Sequence, residues 1–231
     1  MRIDGGVSEV PHPVSLHLRS VNAMLSRLIL CTILAVFVLG VASFRPQDSH
    51  TARVLVFSKT DGYRHASIEA GQDAFRTFAD EHDLDVTFTE DASLFQEDTL
   101  KQYHVVVFLN TTQDVLDEEQ QRQFERFIKA GGGYVGIHSA ADTEYEWPWY
   151  GRLVGAYFDG HPNDPNVREG VISVVDSSHM STQELPDPWV RQDEWYDYRD
   201  RNPEVHVLLT VDETTYKTEE ENPSEEPHPI S

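Results

Sequence analysis

Cys31 is the single cysteine of this 231-residue chain. It lies in an N-terminal apolar stretch. The folded part is therefore expected to carry no disulfide, no thiolate metal ligand and no cysteine nucleophile. Lysine is nearly as scarce, confined to Lys59, Lys101, Lys129 and Lys217. Eighteen basic residues stand against 40 acidic ones, a formal net charge of −22. That balance argues against nucleic acid, whose phosphates need Lys and Arg, and against an anionic membrane surface. An acid-rich, lysine-poor chain suits solubility in high salt, where self-repulsion is screened. The plainer alternative is an ordinary acidic protein. There is no internal repeat, and the length allows one domain with appendages.

The longest apolar run, Leu28 to Val41, is short of the about 20 residues a membrane span needs. Arg27 precedes it, and the small residues Ala42 and Ser43 follow. The pattern is that of a secretory signal over residues 24–43, with translation starting at Met24 and residues 1–23 an upstream mis-start segment. An uncleaved membrane anchor is the alternative. The expected localisation is thus exported, with membrane contact only through this N-terminal segment. Residues 44–52 read as a polar linker.

From residue 53 onward strands and helices alternate. Arg53 to Phe57 is a buried first strand, and Ser67 can cap a helix to about His82. Asp85 to Thr89 is a second strand and His104 to Leu109 a third. Asp117 caps a helix through Ala130, and Tyr134 to Ile137 suits a central parallel strand. Later strands are expected at Val167 to Val175 and Val205 to Val211. Thr214 to Ser231, acidic and proline-containing, would not pack by composition. The alternation predicts an α/β fold with a doubly wound, mostly parallel sheet. Ligands in such sheets bind beyond the carboxyl ends of the strands. Arg64 and His65, Asn110 to Thr112, and His138 to Asp142 all fall at such ends.

The stretch Gly131-Gly132-Gly133-Tyr134-Val135-Gly136-Ile137-His138-Ser139-Ala140 is the most informative. A sharp strand-to-helix elbow that exposes one reactive side chain needs small residues two places before and after it. Centred on Ser139, the elbow would put Ile137 where glycine is wanted. Centred on His138, its flanks are Gly136 and Ala140. His138 is thus placed at the tip, where other folds put a serine or cysteine nucleophile.

Four blocks together resemble the trehalose-utilisation (ThuA-like) family: Gly62-Tyr63-Arg64-His65-Ala66-Ser67-Ile68, residues 131–143, the region of His161-Pro162, and Asp193-Glu194-Trp195-Tyr196. The likeness spans about residues 53–231. It implies a fold similar to class I glutamine amidotransferases, a flavodoxin-like three-layer α/β/α sandwich, and a role in bacterial sugar metabolism. Amidotransferases of this fold carry a cysteine at the elbow. His138 stands there instead, which argues against glutamine amidotransfer. The resemblance also implies a further strand and a glycine-histidine loop after the segment His228 to Ser231, so the domain is expected to be truncated at its C-terminus.

His138, His65 and Glu194 are the candidate catalytic residues. His138 is either a metal ligand or base at a pocket floor, or a histidine bonded to nearby backbone. His65, His138 and His161 could hold one divalent metal, Zn, Mn or Fe, although no H-E-x-x-H spacing signals it. Arg64 either grips a sugar by its guanidinium fork or pairs with one of many acids. Asn110, Ser139, Trp147 and Tyr196 complete the candidate substrate contacts. Trp147, Trp149, Tyr150, Trp195 and Tyr196 form either a sugar-stacking wall or buried core. The expected ligand is a small carbohydrate, with no nucleotide cofactor, and the oligomeric state is left open. The sequence reads as a sugar (glycoside or keto-sugar) enzyme; a non-catalytic carbohydrate-binding or protein-interaction domain is the alternative.

Overall fold

The computed structural model describes residues 51–224 and 227–230. The segments 1–23 and 24–43, and most of the linker, lie outside the described residues. Among the described residues no helix is long and apolar enough to cross a membrane.

The first half follows the expected alternation. It runs β1 (Ala52–Phe57), α1 (Ser67–His82), β2 (Leu84–Thr89), α2 (Glu97–Leu100), β3 (Val105–Leu109), α3 (Glu118–Lys129) and β4 (Gly133–Ile137). The four strands are parallel in the order β2-β1-β3-β4. Side chains alternate across each strand, and both faces of the central strands are apolar. Leu55, Phe57, Val106 and Phe108 pack with Phe124 of α3 on one face. Val54, Val56, Val107 and Leu109 pack with Phe75 of α1 on the other. Asp117 caps α3 through a capping box with Gln120. Gly131, at φ 101°, ends that helix in a conformation only glycine adopts freely.

Two expectations in this half need correction. Tyr134 to Ile137 is part of an edge strand, not a central one, and Val135 is 44 % exposed. An apolar run alone does not distinguish the two places. Ser67 does not cap α1; the capping position is Ala66, with no side-chain bond. The Ser67 hydroxyl instead accepts from Asn110 Nδ2 at 2.7 Å.

The second half is not parallel. It holds α4 (Pro148–Val154), β5 (Tyr157–Gly160), β6 (Val167–Val174), β7 (Trp189–Glu194), β8 (Asp197–Arg199), β9 (Leu209–Asp212) and β10 (His228–Pro229). One antiparallel sheet has the order β10-β9-β6-β7, and β5 pairs with β8 antiparallel. The fold is therefore mixed α/β, a parallel sheet joined by antiparallel ones. The expected strand from Val205 starts only at Leu209. Upstream, a turn places the Val205 N–H on the Asn202 carbonyl, and the Asn202 N–H bonds the Gly155 carbonyl. The segment after Thr214 packs, against expectation. Tyr216 joins a core of Ile172, Trp195, Leu209 and Val211. One tyrosine and one buried lysine anchor what average composition reads as a loose tail.

Candidate functional site

The carboxyl ends of β1 and β4 bring two histidines together. The loop after β1 is tied to the end of β3: Asp61 N–H donates to the Thr112 carbonyl, and Thr112 Oγ1 donates to the Tyr63 carbonyl. That tether delivers His65. His138 follows directly on β4 at φ 53°, a left-handed conformation uncommon for a residue with a side chain and frequent at functional turns. A Cβ on Gly136 would lie 2.6 Å from Tyr134 Oη and 3.2 Å from Ala140 Cβ. The small flanks of the elbow are thus a steric requirement.

The third group comes from the antiparallel half. Glu194 ends β7, and its Oε2 lies 3.2 Å from His138 Nε2 and 3.7 Å from His65 Nε2. These donor atoms lie within 4.8 Å of one another. The His65 and His138 rings meet edge to face, with centroids 4.6 Å apart. Tetrahedral donors on metal arms of about 2.0–2.1 Å stand about 3.3 Å apart. The spacing is compatible with three donors to one ion, and two histidines with one carboxylate are a donor set that metals with open positions use.

The surrounding hydrogen bonds fix which atoms face the centre. His161 Nδ1 lies 2.8 Å from the Pro162 carbonyl. A carbonyl only accepts, so Nδ1 carries the proton and a neutral His161 turns its Nε2 lone pair outward. That lone pair faces Glu194 Oε1 at 3.7 Å. His65 Nδ1 lies 3.3 Å from Ser139 Oγ. Asn166 Nδ2 donates to Glu194 Oε1 at 2.7 Å. Such outer partners orient metal ligands.

Burial lowers the pKa of His65 against the pull of Glu194. Burial and then the neighbouring His65 lower that of His138. Burial would raise Glu194, but the Asn166 bond and the three imidazoles hold it below the usual carboxylate range.

The remaining candidates are placed as follows. Ser139 is buried at His65, and Tyr196 reaches both histidines: its hydroxyl is 3.0 Å from His138 Nε2 and 3.4 Å from His65 Nε2. The Arg64 guanidinium instead takes Glu69 and Glu90, at 3.0 and 2.9 Å. Asn110 is engaged with Ser67. The aromatic wall divides. Trp147 and Trp149 stack on each other against Phe124 in the first core, and Trp195 lies in the second. Only Tyr196 of that group meets the histidines, because adjacent residues at the end of β7 face opposite ways.

Sequence reasoning missed Asn166, which lies far from Glu194 along the chain and signals nothing alone. It also missed Glu144, only 1 % exposed. Its Oε1 accepts from the Val115 and Leu116 N–H groups at 3.0 and 2.8 Å, bracing the loop before α3. A second cluster, Asp197, Glu213 and His228, already holds a cation: Lys217 Nζ lies 2.7 Å from Asp197 and 2.9 Å from Glu213.

Residues 53–231 match the family described as ThuA, trehalose utilisation. A solved structure of a ThuA-like protein from Bacteroides uniformis is similar at 25 % identity and TM-score 0.62, over 74 % of this chain and 74 % of that one. A ThuA-like protein from Parabacteroides merdae is similar in fold, with 22 % identity and TM-score 0.60 over 78 % of this chain and 74 % of that one. No curated protein matches the chain. The chain therefore belongs to the ThuA, trehalose-utilisation, family.

Proposed function

We propose that this protein is a metal-assisted enzyme of sugar metabolism, acting on a glycoside or keto-sugar at the histidine centre. The observation that carries the reading is the convergence of His65 Nε2, His138 Nε2 and Glu194 Oε2. His65, His138 and Glu194 would hold one divalent ion, Zn, Mn or Fe, with His161 beside Glu194. Such an ion supplies Lewis acidity toward a carbonyl or hydroxyl oxygen. Around it, Ser139 orients His65 and Asn166 orients Glu194. His161 Nε2 is placed to accept a proton from a bound hydroxyl, since its other nitrogen is committed to the Pro162 carbonyl.

The sugar assignment is supported by family membership, an associational warrant. The packing of α1 and α3 against opposite faces of the parallel sheet supports a flavodoxin-like three-layer arrangement of that half. The apolar run at residues 28–41 supports export.

Elemental analysis of protein purified without chelator or histidine tag tests the metal. Near-stoichiometric Zn, Mn or Fe, lost in His138→Ala, supports the reading and directs a screen of glycosides and keto-sugars. No metal in either protein removes it in favour of a binding role.

A further inference from the structure

Tyr196 is more deeply committed to the centre than a substrate contact would be. Its hydroxyl stands 3.0 Å from His138 Nε2 and 3.4 Å from His65 Nε2. Those two nitrogens stand 3.2 and 3.7 Å from Glu194 Oε2. All four separations scatter around the about 3.3 Å edge of a tetrahedron of metal donors.

The Tyr196 and His138 rings are stacked, with centroids 4.4 Å apart and planes at 29°. The imidazole lone pair lies in its own ring plane, along the tip of the ring. The Tyr196 hydroxyl and the His138 nitrogen thus end side by side, within hydrogen-bonding distance of each other and close enough to serve as two donors to one ion. Phe158, with its centroid 4.4 Å from that of Tyr196, and His161, near-parallel at 14°, hold the phenol in place. Tyr196 is only 5 % exposed, so its hydroxyl has little access to water as an alternative partner.

We propose that the Tyr196 phenol oxygen is the fourth ligand of the centre, completing a His65-His138-Glu194-Tyr196 donor set of two nitrogens and two oxygens. This rests on the metal reading above. When the ion binds, the phenol O–H bond breaks, the metal–oxygen bond forms, and the proton leaves to solvent; no electron changes hands. Two hard oxygen donors beside two imidazoles favour iron, manganese or zinc over soft ions. The set also means that a sugar oxygen entering the centre displaces Tyr196 or expands the coordination shell.

Ferric iron is the probe, because coordinated tyrosinate gives it a visible charge-transfer band that histidine and carboxylate do not. The full chain is loaded with ferric iron, its iron content is measured, and its visible and resonance Raman spectra are recorded. The expected result is a visible band whose Raman excitation enhances tyrosine ring modes. In Tyr196→Phe the band is lost while bound iron remains measurable; the Phe ring keeps the stacking on His138. Iron bound to the wild type without the band overturns the tyrosine ligand and leaves the metal centre standing. A band that survives in Tyr196→Phe also overturns it. No iron in either protein contradicts the metal reading and the tyrosine ligand together. The Raman spectrum of the wild type gives the answer even where the variant does not fold.

Discussion

Lys217 shows at the residue scale what composition hides. Its side chain is 8 % exposed and its ammonium bridges Asp197 and Glu213, in a segment whose acidic character suggested no packing at all. Burial works against the charge, but the two carboxylates outweigh it and raise the lysine pKa. Burial would raise Glu213 as well; the Ser224 N–H and the Lys217 ammonium outweigh it and lower the carboxyl instead. The signs follow from linkage. A raised lysine contributes stability that is full below its unfolded value and lost as pH rises through the folded one. A lowered glutamate contributes stability present above its unfolded value and lost as pH falls through the folded one. Lys217→Met should therefore lower stability most at mid-range pH and converge on wild type at the alkaline end. Urea unfolding across pH checks this; a difference independent of pH would show that only packing was lost. The same scale explains what could be read in advance. His65, His138 and Glu194 stand in motif blocks or beside small residues, so the sequence exposes them. Asn166 and Glu144 act through partners 23 or more residues away in the chain, and no local pattern marks them.

The elbow at the end of β4 carries the site at the scale of elements. Gly136 and Ala140 are small because they nearly touch, and Tyr134 Oη closes the remaining space. That hydroxyl is itself fixed, 2.8 Å from Tyr150 Oη, which donates to the Ala140 carbonyl at 2.7 Å. Gly136→Ala should thus cost about 1–3 kcal/mol, the usual range for overpacking, and reduce metal bound per chain by displacing His138. Denaturant midpoints and elemental analysis check the two parts separately; wild-type values for both would show that the elbow yields freely. Periodicity made β1, β2, β3 and their helices legible, because each is either a doubly buried apolar run or an amphipathic stripe. It could not say that β4 is an edge strand, since sheet order is a tertiary property. It failed again at Trp189 to Tyr198, where mixed aromatic and charged residues conceal β7 and β8. There each strand buries only part of one face.

For the whole molecule, charge dominates. A net charge of −22 means that compaction brings like charges together, and screening relieves their repulsion. The Debye length falls from about 10 Å at 0.1 M salt to about 3 Å at 1 M. The melting temperature should rise over that range of sodium chloride, and a flat or falling curve would point to the ordinary acidic alternative. The parallel sheet and the four-stranded antiparallel sheet have separate cores, yet the site draws His65 and His138 from the ends of the first and Glu194, with Tyr196 just beyond it, from the second. On the metal reading proposed above, a bound ion would cross-link the two sheets and stabilise the fold.

The most direct test of that centre is the metal content of the native protein beside His138→Ala and Glu194→Gln. The account predicts close to one Zn, Mn or Fe per chain in the wild type and a large loss in both variants. Metal-free wild type, or variants that retain the full complement, would contradict it.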